Sequence, residues 1–94
     1  MVSINIIFHQ SIKYEIGFSS TLMDIEASST INDILNNLID KYKDKARNAL
    51  VSKDGKSYKF VLFLNGRKIN LNSDEIIVLN DGDVLNFLSP VSGG

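Results

Sequence analysis

Residues 81–94 read Asp81-Gly82-Asp83-Val84-Leu85-Asn86-Phe87-Leu88-Ser89-Pro90-Val91-Ser92-Gly93-Gly94, a turn, a strand and an exit in one stretch. Asp-Gly-Asp is turn chemistry, because aspartate side chains bond their own backbone and glycine accepts positive φ. Val84 to Leu88 then alternates, so Leu85 and Phe87 take one face of a strand and Asn86 and Leu88 the other. Pro90 lacks an N–H and fixes φ, which ends sheet pairing and stiffens the exit. Gly93 and Gly94 carry no side chains and have wide backbone freedom. From Pro90 to Gly94 the extended reach is about 17 Å at ~3.4 Å per residue. That is enough to enter a partner's channel while the domain docks outside. A narrow channel needs slender residues, and chemistry at a terminal carboxyl needs an unhindered carbon. Gly-Gly meets both needs, although two glycines alone also describe a frayed end.

Upstream, Ile4, Ile6 and Phe8 share one face of a first strand, with Asn5, Ile7 and His9 on the other. Ser11 to Phe18 is expected to run on toward a turn around Gly17, Ser19 and Ser20, and Leu22 to Ala27 to return as a hairpin partner. The period then changes. Ile31, Ile34, Leu35, Leu38, Ile39 and Tyr42 form the stripe of a helix packed on one side, predicted over residues 31–45. Thr30 with Asp33 three residues on is an acidic variant of the capping box. Residues 46–57 turn polar, with a turn at Asp54-Gly55. Tyr58 to Leu64 is a strand expected to be covered on both faces. Asn65-Gly66 is a two-residue hairpin turn with a short return through Ile69 and Leu71. Ile76 to Leu79 is either a brief strand or a helical turn. The whole is an α+β order: a mixed sheet of about four to five strands with one main helix on one face. The sheet is mixed if the first and last strands lie side by side in parallel. Residues 1–94 form a single domain with a tail over 89–94.

Composition narrows the function. The 94 residues are 44% hydrophobic and 22% charged, with a net charge of −1. Such a chain buries only about 60–65% of its unfolded surface, enough for one small core. There is no cysteine and one histidine, which removes disulfides, thiolate catalysis and zinc-thiolate sites and leaves little for any metal. The longest apolar run is the five residues 60–64, far short of a membrane span. The N-terminus lacks the pattern of a secretory signal, so a cytoplasmic protein is expected.

Charge is segregated: residues 41–59 hold seven basic residues against Asp44 and Asp54, whereas the remainder holds three basic and nine acidic. Lysines near a helix end complement its dipole. That account outweighs nucleic-acid binding, because no aromatic-interleaved basic stripe is present and the isoelectric point is 5.7.

Residues 81–94 resemble the signature end of MoaD-type proteins, the small subunit of molybdopterin synthase. That family has Asp-Gly-Asp, a short apolar strand, Pro-Pro, a hydrophobic residue, Ser or Thr, then Gly-Gly. The strand, the Thr-capped helix and the Asn65-Gly66 turn sit in the family's order. Ser89 departs from the pattern, standing where the first of two prolines is usual, and is expected to make the exit less rigid. Residues 46–57 and 70–80 look longer than in compact members. The resemblance implies a β-grasp, ubiquitin-like fold, shared with ThiS-type carriers of thiamine synthesis, the modifier that serves tRNA thiolation, and small archaeal modifiers.

It also implies the chemistry. The reacting group would be the Gly94 carboxylate, with Gly93 beside it. An adenylating enzyme would use ATP to make an acyl-adenylate, and a sulfur source would leave a thiocarboxylate, 1-thioglycine, at Gly94. The large subunit of molybdopterin synthase would then receive the sulfur. No stably bound cofactor and no metal are implied, and the residues offer no catalytic constellation of their own. The alternatives are a protein modifier joined through Gly94 to lysines of target proteins, or a sulfur carrier for tRNA thiolation or thiamine synthesis. A small enzyme or structural module whose tail is incidental is a third class, and its candidate sites are weak. Asp81-Gly82-Asp83 lacks the further donors of a calcium loop, and Asp74-Glu75 reads as a solvated pair. Partner contact is expected at Ile7 and Leu88, an outward apolar patch beside the tail, and along Pro90, Val91 and Ser92. His9 is expected to meet solvent or a partner. No nucleic acid or membrane partner is expected.

Overall fold

Strand β1, Val2–Phe8, buries Ile4, Ile6 and Phe8 and leaves the alternate residues half-exposed, as its period of two requires. The computed structural model describes residues 1–90. Helix α1, Gln10–Ile16, follows, then β2, Ser20–Ile25, which pairs antiparallel with β1. Helices α2, Ile31–Tyr42, and α3, Asp44–Leu50, come next. Strands β3, Val61–Leu64, and β4, Arg67–Ile69, form a hairpin, and β5, Val84–Leu88, completes the sheet. The strand order is β2-β1-β5-β3-β4. The first and last strands are parallel neighbours, Phe8 beside Phe87, and β5 also pairs antiparallel with β3. This is the mixed-sheet β-grasp arrangement.

The core lies between the sheet and the helices. Ile34 and Leu38 of α2 meet Ile4, Ile6, Leu62, Leu85 and Phe87, all fully buried, in one cluster. At about 25 cal/mol per Å² of apolar surface, this cluster is the main favourable term in folding. Thr30 caps α2 with a reciprocal box: its hydroxyl accepts from the Asp33 N–H at 3.3 Å, and the Asp33 carboxylate accepts from the Thr30 N–H at 2.8 Å. Asn65 and Gly66, at φ 51° and 86°, make the predicted two-residue hairpin turn.

Four expectations are corrected. Ser11–Phe18 is not extended: residues 10–16 are helical, because Ile12 and Ile16 stand four apart and both reach the core. Gly17, at φ 102°, closes that helix with its N–H on the Lys13 carbonyl. The main helix stops at Tyr42 rather than Lys45, broken at Lys43, whose φ of 54° and ψ of −126° cannot continue a helix. Residues 44–50 then form α3 in the stretch expected to be polar, burying Ala46, Ala49 and Leu50 at i, i+3, i+4. Ile76–Leu79 is neither regular strand nor helix: Val78 makes an isolated bridge to Thr30, and Leu79 enters the core.

Candidate functional site

Strand β5 ends at Leu88, and this is the point the sequence marks out. The ladder between β1 and β5 closes at Phe8 and Phe87, with one further bond from the His9 N–H to the Phe87 carbonyl at 3.0 Å. The ladder to β3 closes at Val61 and Leu88. Beyond it, Ser89 is held twice. Its N–H donates to Gln10 Oε1 at 2.9 Å, and its hydroxyl lies 2.6 Å from that of Ser11. Serine has the N–H and hydroxyl that a proline lacks, and Ser89 uses both. Pro90 is exposed immediately beyond. Val91, Ser92, Gly93 and Gly94 lie outside the described residues.

Ile7 and Leu88 both sit half-buried on the face away from the helices, as expected. They do not pair directly. Ile7 stands beside Asn86, and Leu88 beside Val61. Between them runs a polar bridge, His9 Nε2 to Asn86 Oδ1 at 2.8 Å, so His9 has a partner within the fold. Val61 and Phe63 extend the apolar surface past Leu88 and Asn86. The expectation that β3 is covered on both faces is wrong here: Leu62 is buried, while Val61 and Phe63 remain half-exposed because the helices of the described residues pack on the opposite face. Parity carried the missing signal, since an inward Leu62 puts Val61 and Phe63 outward.

Asp81-Gly82-Asp83 is a structural turn, and its carboxylates are taken. Asp81 Oδ1 accepts from the Ser3 N–H at 2.7 Å. Asp83 accepts from Asn65 Nδ2 at 2.9 Å and from the Asn80 N–H at 2.7 Å. Asp74 and Glu75 are exposed loop residues. Among the described residues no group of three His, Asp or Glu side chains converges on a metal position, and no helix is long and apolar enough to cross a membrane. The basic residues of 41–59 are all exposed, and Arg47 with Asp44 at 3.7 Å is the one ion pair among the described residues. Lys59 Nζ donates to the Asn48 carbonyl at 2.8 Å in the last turn of α3, where a cation complements the helix dipole.

The sequence model of the ThiS family matches residues 7–94. The chain belongs to the ThiS family. A search of curated proteins finds no match to the chain. Among solved structures it is similar to small archaeal modifier protein 1 of Haloferax volcanii, with a TM-score of 0.78 at 18% identity over 97% of this chain and 100% of that one. It is similar to Urm1 of Trypanosoma brucei, with a TM-score of 0.73 at 22% identity over 98% of this chain and 95% of that one. It is also similar to a chain in the complex of subunits 1 and 2 of molybdopterin-converting factor from Helicobacter pylori 26695, with a TM-score of 0.58 at 25% identity over 99% and 100%. The chain shares the ubiquitin-like β-grasp fold of these proteins.

Proposed function

We propose that this chain is a sulfur carrier whose Gly94 carboxylate is activated and thiolated by partner enzymes, serving molybdopterin synthesis as the small subunit of the synthase. The supporting observation is a family match that runs through residue 94, joined to a last strand whose exit is fastened at Ser89 by Gln10 and Ser11. The likeness to a chain of the Helicobacter pylori converting-factor complex supports the molybdopterin assignment and a large-subunit partner. In the activating step the Gly94 carboxylate attacks the α-phosphorus of ATP on the adenylating enzyme, and pyrophosphate leaves. Hydrosulfide then attacks the acyl carbon, AMP departs with the bonding pair, a proton is lost, and a thiocarboxylate remains. The domain's own task is presentation: Ile7, Leu88, Val61 and Phe63 meet the partner, while Pro90, Val91, Ser92 and Gly93 carry Gly94 into its site.

A second reading, conjugation of Gly94 to target lysines, is favoured by the closer superposition on the archaeal modifier. Both need the same activation. Intact-mass analysis of the protein from its native cells separates them: a single oxygen-to-sulfur exchange supports the carrier, and lysine-linked adducts support the modifier. Deleting Gly94 abolishes either product; activity that survives the deletion overturns both readings.

A further inference from the structure

We infer that Gln10 and Ser11 are positioning residues that aim the tail, standing in for the strand partner that β5 loses at its end. In a parallel ladder the bond after His9 N–H to Phe87 carbonyl runs from the Ser89 N–H to the His9 carbonyl. That carbonyl is already engaged, accepting from the Lys13 N–H at 3.4 Å as α1 begins. The chain cannot continue β1 and start α1 at once. Gln10 resolves the conflict with its side chain: Oε1 occupies the role of the missing acceptor, 2.9 Å from the Ser89 nitrogen.

The backbone shows that this arrangement is held against a local preference. Gln10 has φ 56°, in the left-handed region that favours glycine, whereas glycine there would have no acceptor to offer. Gln10 and Ser11 are both exposed, and a solvent-exposed hydrogen bond adds little to global stability. Core packing on Ile4, Ile6 and Phe8 already fixes β5, so the fold does not need the clasp. What the clasp does set is the direction in which residue 89, and hence Pro90, leaves the sheet. A domain that docks through its open face must deliver a terminus several residues away into a channel, and misdirection there lowers the rate of the chemical step rather than docking.

This inference rests on the proposed activation of Gly94, and the test separates the two. The probe is ATP–pyrophosphate exchange by the adenylating enzyme of the same cells, with the full-length chain as substrate. Gln10→Gly relieves the left-handed backbone and removes the acceptor, so it is expected to unfold no earlier than the parent. Its kcat for exchange is expected to fall about five- to tenfold with KM unchanged. Gln10→Glu, which keeps a carboxyl oxygen at the same reach, is expected to retain the parental kcat. Ser89→Pro in the Gln10→Gly background, which sets two prolines in succession at the exit, is expected to recover much of the loss by fixing φ covalently. Unchanged kcat in Gln10→Gly, or a loss that Gln10→Glu shares, overturns the inference. If the parent itself shows no exchange, the proposed activation fails instead. The clasp is then read from the amide relaxation of Ser89, which loosens in Gln10→Gly if the bond holds the exit and stays as in the parent if it does not.

Discussion

The side chain of Asn65, in the β3–β4 turn, donates from Nδ2 to Asp83 Oδ1 at 2.9 Å, while its own Oδ1 accepts from the Val84 N–H at 2.9 Å. Two turns that read as separate punctuation in the sequence are thus bolted together at the start of β5. Asp83 is the only charged residue that is buried among those described. Replacing it by alanine strands the Asn65 amide and the Asn80 N–H. Asp83→Ala is expected to cost about 2 kcal/mol in urea unfolding, with the β5 amides among the first to exchange.

Lys43 joins α2 to α3 at φ 54° and ψ −126°, a conformation costly for any residue with a Cβ. Lys43→Gly is expected to raise stability by about 1 kcal/mol, the strain relieved less the added entropy of the unfolded chain. Thermal melting monitored by circular dichroism checks this; a lower midpoint refutes it.

Leu88→Asp places a charge on the open face next to Val61 while leaving the buried neighbours Leu85 and Phe87 untouched. Affinity for the proposed adenylating partner is expected to drop by roughly tenfold or more, as for a truncated interface anchor, with the folded spectrum retained. Binding by calorimetry, with a spectrum of the same sample, reads both. Loss of the spectrum would place Leu88 in the core.

The Asp54 carboxyl is held below its ordinary range, first by the Ser52 hydroxyl at 2.5 Å and then by the Lys56 N–H at 3.0 Å. A depressed carboxyl contributes stability that is present above its unfolded pKa and is lost as pH falls through the folded value. Ser52→Ala is expected to move the Asp54 titration, followed by its carboxyl carbon resonance, back toward the ordinary range.

Much of this architecture was legible because periodicity carried it. The alternation in Ile4, Ile6 and Phe8, the stripe from Ile31 to Tyr42 and the Asn65-Gly66 pair each act locally, and each formed as expected. The failures were non-local or small. Helix α1 spans only seven residues and two core contacts, too short a window for a period. Helix α3 hid because Ala46 and Ala49 are weakly apolar yet fit closely where α3 meets α1. At the site, the outward places of Ile7 and Leu88 followed from parity. The bond from Ser89 to Gln10 did not, because it depends on which carbonyl α1 had already claimed.

Gln10 and Ser89 stand 79 positions apart in the chain and meet only when β1 and β5 lie side by side. Contacts of such long sequence separation are among the slowest to form. A nascent or partly melted molecule that has not paired β1 with β5 therefore lacks the clasp at Ser89. Under the proposed function, an activating enzyme that requires this clasp would reject incompletely folded chains without contacting the core.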